Sequence, residues 1–121
     1  MNRIRLYGLA ALLSLGLAGP AFAHAHLTSS APAANATVTA TPAALQLTFS
    51  EGLELRFTGI KVTGPGGAAV TTGDATLGPD GATLVVPVTG PLAPGAYTVD
   101  WHTLSTDGHT TKGSYTFTVA P

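Results

Sequence analysis

Over much of the chain apolar side chains recur at every second residue, and that period commits it to sheet. Leu45, Leu47 and Phe49 alternate with Gln46, Thr48 and Ser50. Tyr97, Val99 and Trp101 alternate with Thr98, Asp100 and His102, and Tyr115, Phe117 and Val119 with Ser114, Thr116 and Thr118. Successive side chains of a strand point to opposite faces, so each run predicts a strand with one buried face. Leu55 and Phe57 continue the pattern in the next segment, and a change of parity at Gly59, leading to Ile60 and Val62, predicts a bulge or bend. "TLVVPV" (83–88) reads as a further strand, which Pro87 assigns to an edge or an irregularity because proline cannot donate to a ladder.

Between the runs stand "GPGG" (64–67), "GPDG" (78–81), "GPLAPG" (90–95) and an Asp-Gly-His turn at 107–109, all turn chemistry. No helical period persists. The reading is an all-β domain, a sandwich or small Greek-key barrel of about seven strands, without internal repeat or linker. No cysteine is present, so a packed core has to supply the stability and thiolate chemistry is ruled out.

The first 23 residues, "MNRIRLYGLAALLSLGLAGPAFA", differ in kind. Arg3 and Arg5 precede an apolar run from Leu9 to Ala18, and small residues flank Phe22 where a signal peptidase would cut. The run is short beside the roughly 20 residues of a membrane span. Residues 1–23 are therefore expected to be a secretory signal removed after Ala23, leaving one domain at 24–121. That domain carries Arg56, Lys61 and Lys112 against Glu51, Glu54, Asp74, Asp80, Asp100 and Asp107, a net charge of −3 with histidines neutral. So few cations give no electrostatic basis for nucleic-acid binding or for a polybasic membrane patch.

Cleavage at that point would make His24 the first residue of "HAH". An N-terminal histidine closes a six-membered chelate through its amine and Nδ1, a nitrogen-rich arrangement that suits Cu(II). The same tripeptide allows a second geometry, in which the amine, two deprotonated backbone amides and the His26 imidazole form a square plane. A mobile, incidental histidine pair is the plain alternative to both.

Asp107 and His109, one residue apart in the late turn, offer a carboxylate and an imidazole that can face one point, although Asp-Gly is also an ordinary turn signal. Asp100 and His102 share a strand face and read as a solvated surface. Glu51 could orient a metal-bound imidazole by hydrogen bonding or could equally be a strand-end carboxylate in water. No Gly-x-Ser-x-Gly elbow, His-Glu-x-x-His helix or phosphate loop occurs.

Taken together, "HAHLTSSAPAANATV", "LQLTFSEGLELRFTGIKV" and "YTVDWHTLSTDGHTTKGSYTFTV" resemble the CopC family of periplasmic copper-binding proteins. The resemblance implies an Ig-like β-sandwich or Greek-key barrel holding one Cu(II) per chain. It implies as ligands the amine and imidazole of His24 with Asp107 and His109, and a supporting role for Glu51; His26 remains the alternative ligand. Some relatives carry a methionine-rich loop for Cu(I). Here Met1 is the sole methionine, so no thioether Cu(I) site is expected. His102 stands where relatives commonly have arginine and is treated as surface. The implied role is an exported copper chaperone or buffer in homeostasis or resistance. It would be periplasmic, non-catalytic, and able to pass copper to a separate membrane importer or oxidase-assembly partner. Two other functions are compatible with the residues: a copper monooxygenase using the N-terminal histidine chelate, and a metal-free structural sandwich.

Overall fold

The computed structural model describes residues 24–121, and the expected signal at 1–23 lies outside the described residues. Nine strands follow one another: β1 Leu27–Ala31, β2 Thr37–Val38, β3 Ala44–Phe49, β4 Gly59–Thr63, β5 Ala69–Val70, β6 Thr76–Leu77, β7 Thr83–Pro87, β8 Gly95–Leu104 and β9 Thr110–Val119. They form two sheets, one in the order β1-β3-β7-β6 and one in the order β2-β9-β8-β4-β5. The molecule is a two-sheet sandwich. It has nine strands where about seven were expected, because β2, β5 and β6 hold two residues each, too few to show a period.

The alternation in the long runs is the core. β3 buries Leu45, Leu47 and Phe49, β7 buries Leu84 and Val86, and the facing sheet contributes Val62, Tyr97, Val99, Trp101, Tyr115, Phe117 and Val119. Removing this apolar surface from water is the main stabilising term for a chain without disulfides. Aromatic rings lock its two ends. Phe49 meets Trp101 edge-on across the sandwich at 5.0 Å between centroids, and Tyr97 stacks on Phe117 at 5.4 Å.

Two expectations need correction. Leu55 and Phe57 do not continue a strand. They lie in a single 3-10 turn closed by Phe57 N–H to the Glu54 carbonyl and Thr58 N–H to the Leu55 carbonyl, and both remain exposed. That turn accounts for the parity change before Gly59. β7 is not an edge strand either, since it lies between β3 and β6. Pro87 is tolerated because it is the last residue of β7, beyond Val85, where the pairing with β6 stops.

The long hairpin β8–β9 runs in continuous antiparallel register from Gly95 opposite Val119 to Leu104 opposite Thr110. At its turn it carries Asp107 and His109 to one end of the sandwich. β1 starts at that same end, where Leu27 pairs with Phe49, the last residue of β3.

Candidate metal centre

Residues 105–109 close the β8–β9 hairpin around a buried hydroxyl. The Ser105 amide donates to the His109 carbonyl at 2.8 Å and the Gly108 amide to the Ser105 carbonyl at 2.9 Å. Gly108 adopts φ +95°, a left-handed conformation that side chains oppose, and this lets the turn fold back after Asp107. Ser105 is 1 % exposed. Its Oγ donates a short hydrogen bond to Asp107 Oδ1 and accepts from the His109 amide at 3.3 Å. Asp107 Oδ1 also meets His109 Nδ1 at 3.2 Å. The Ser105 hydroxyl, with the His109 ring adding to it, holds the Asp107 carboxyl below its ordinary value of 3.8, so the carboxylate is anionic at neutral pH.

The other half of the site comes from the opposite end of the chain. The His24 ring lies with its centroid 4.7 Å from that of His109, tilted by 54°. What brings it there is Ala25, which is wholly buried and whose carbonyl accepts a hydrogen bond from Thr111 Oγ1 at 2.5 Å, 86 residues away. His26 is turned to Ser50. Its amide donates to Ser50 Oγ at 3.0 Å, its Nδ1 lies 3.2 Å from the same hydroxyl, and the Ser50 amide returns a bond to the His26 carbonyl at 3.0 Å.

His24, Asp107 and His109 are therefore neighbours. Glu51 is half-buried beside Ser50 and, among the described residues, forms no hydrogen bond or ion pair with either imidazole. His102 is exposed on the outer face of β8, its ring lying over Gly59 and its register partner being Lys112, so it belongs to the surface. Among the described residues no group of three or more His, Cys, Asp or Glu side chains converges on one metal-sized point. Asp107 turns its carboxylate toward Ser105 and His109, which leaves two imidazoles open. Sequence reasoning passed over Ser105, Ser50 and Thr111. Hydroxyls are so common in strands and turns of this chain that only their partners distinguish them.

Fold and site together define a small β-sandwich that gathers a histidine-bearing leading segment and a late Asp-Gly-His turn at one end. Residues 27–120 match the CopC domain, and the chain belongs to the CopC family. It is 52 % identical to Protein YobA of Escherichia coli K12 over 111 residues, 90 % of either chain. It is also 39 % identical to Copper resistance protein C of Escherichia coli over 114 residues, 88 % of this chain and 90 % of the relative. The crystal structure of PcoC, described as a methionine rich copper resistance protein from Escherichia coli, superposes with a TM-score of 0.74 at 40 % identity, covering 81 % of this chain and all of PcoC. The family match starts after His26, so it includes Asp107 and His109 but not His24. Among the described residues no helix is long and apolar enough to cross a membrane.

Proposed function

We propose that this protein is an exported copper chaperone or buffer of copper homeostasis and resistance, holding one Cu(II) at the end of the sandwich. Removal of residues 1–23 exposes the α-amine of His24. The ion is then bound by that amine and the His24 imidazole, by the His109 imidazole, and by the Asp107 carboxylate beside it. Glu51 supports the site from outside the ligand set. The observation that carries this reading is the approach of the His24 and His109 rings to 4.7 Å, joining residues 85 positions apart. Relatives named as copper resistance proteins support it, as does a donor set of nitrogens and one carboxylate suited to Cu(II). A filled plane of hard and borderline donors disfavours Cu(I), and with Met1 the one methionine the protein has no thioether site for the reduced ion. The protein catalyses nothing, works in the periplasm, and hands copper to a separate inner-membrane importer or oxidase-assembly partner.

The test is to establish the first residue of exported protein by mass spectrometry and then to titrate it with Cu(II). His24→Ala and His109→Ala should each weaken binding, by about tenfold or more for the loss of a ligand held by charge-assisted bonding. Unchanged affinity in His109→Ala removes the late turn from the site. A ligand that binds only the folded form at one hundred times its dissociation constant adds about 2.7 kcal/mol of stability. No thermal shift with Cu(II) would return the chain to a metal-free structural module.

A further inference from the structure

The peptide unit joining Ala25 to His26 is tied at both ends, and to different sheets. Its carbonyl accepts from Thr111 in β9, and its N–H donates to Ser50, the residue that follows β3. The Thr111 end is the deeper one. Thr103, 2 % exposed, stands 2.7 Å from Thr111 across the hairpin. Each hydroxyl has a single hydrogen, and Thr111 spends its own on Ala25, so Thr103 donates to Thr111 and Thr111 donates to Ala25. Ala25 is 0 % exposed, backbone included, which keeps its amide nitrogen away from solvent.

We infer that Thr111, with Thr103 behind it and Ser50 on the opposite side, is a positioning residue that selects how the leading segment binds copper. This rests on the Cu(II) reading above. A free His-Ala-His peptide offers copper a plane of four nitrogens: the amine, the amides of residues 25 and 26, and the His26 imidazole. That plane requires the His26 amide to lose its proton and leave Ser50, and the peptide unit to rotate away from Thr111. It also requires an ion at the nitrogen of a residue with no exposed surface, while His26 Nδ1 gives up its Ser50 contact. The fold holds the His26 amide, the Ala25 carbonyl and His26 Nδ1 in other bonds. What it leaves outward is residue 24, with its ring beside His109. The Thr111 lock thus excludes the local four-nitrogen mode and forces the leading histidine to share its ion with the distant turn.

The experiment uses protein beginning at His24, in wild type, Thr111→Val, Ser50→Ala, the Thr111→Val/Ser50→Ala double variant, and Thr111→Ser, with folding of each verified by circular dichroism. Without copper, the His26 amide should exchange slowly in wild type and at least about tenfold faster in the double variant. With one equivalent of Cu(II), His26→Ala should leave the wild-type visible and EPR spectra unchanged. The double variant should move its visible band to shorter wavelength, as more nitrogens enter the plane, and adding His26→Ala to it should reverse that move. Thr111→Ser keeps the hydroxyl and should keep the wild-type spectrum. A folded double variant with the wild-type spectrum overturns the inference, as does a wild-type spectrum that His26→Ala already changes. Wild type that binds no Cu(II) sinks the underlying copper reading instead, and amide exchange distinguishes that result because it needs no metal.

Discussion

Gly113 stands opposite Trp101 in the β8–β9 register, and a Cβ at that position would lie 2.5 Å from Trp101 Cζ2 and 2.9 Å from Cε2. The indole has lain down across the space a side chain would fill. It cannot easily yield, being 9 % exposed and packed edge-on against Phe49. Gly113→Ala is therefore expected to destabilise. Two effects compete. Overpacking a tight core costs about 1–3 kcal/mol. Replacing glycine by alanine restricts the unfolded chain and returns about 0.4–1 kcal/mol. The backbone itself offers no resistance, since Gly113 is not among the glycines at positive φ. The clash wins, and the net loss of about 1–2 kcal/mol corresponds to a melting point lower by about 4–16 °C for a domain of this size. Urea unfolding followed by the fluorescence of Trp101, the sole tryptophan, measures it directly. Trp101→Phe removes the benzo atoms that clash, so in that background, followed by circular dichroism, Gly113→Ala should become neutral. Gly113→Ala that is as stable as wild type, at an unchanged denaturant slope, would refute the packing argument.

Phe117→Ala empties the centre of the sandwich at a residue 1 % exposed and should cost about 3–5 kcal/mol in the same urea assay; a loss under 1 kcal/mol would mean the two sheets collapse into the space. Asp80 accepts from the Ala82 and Thr83 amides and from the Thr83 hydroxyl at 2.8–3.0 Å, and the Ala82 amide leads in holding its carboxyl below 3.8. A carboxyl depressed by folding adds stability above its unfolded value and loses it as pH falls through the folded one. Melting temperature should thus decline below about pH 4 more steeply in wild type than in Asp80→Asn, and parallel curves would contradict the assignment. Cu(II) affinity should fall on acidification as imidazole and amine take up protons, followed through the visible band; an affinity unchanged between about pH 7 and pH 4 would contradict imidazole and amine ligation.

The long strands were legible because each carries three buried residues at a strict period of two. Leu45-Leu47-Phe49, Tyr97-Val99-Trp101 and Tyr115-Phe117-Val119 all prove to be core. What escaped is what a local period cannot encode. β5 and β6 are two-residue pairings whose existence depends on β4 and β7 being in place. Leu55 and Phe57 have strand spacing, yet the hydrogen bonds closing on Glu54 and Leu55 wind them into a turn. Spacing alone does not tell an apolar residue that is buried from one left in water.

The site divides along the same line, and its division has a physical cause. Asp107, Gly108 and His109 are a local constellation, so their types and spacing announced the turn and marked Asp107 and His109 as candidate donors. His24 became a partner of His109 only through a resemblance, since nothing in a three-residue segment specifies a group 85 positions away. In the fold that long-range specification falls to three hydroxyls. Ser105 sets the Asp107 and His109 side chains, Thr111 pins Ala25, and Ser50 turns His26 aside. In the proposed site imidazoles would supply the coordination chemistry, but a histidine on an untethered leading segment would have many places to be. Fixing its backbone in advance would remove the entropy that the proposed metal binding otherwise has to overcome. On the proposed copper reading, the selectivity of the site would reside less in its ligands than in the buried hydrogen bonds behind them, and those bonds join residues whose types are too common to draw notice in a sequence.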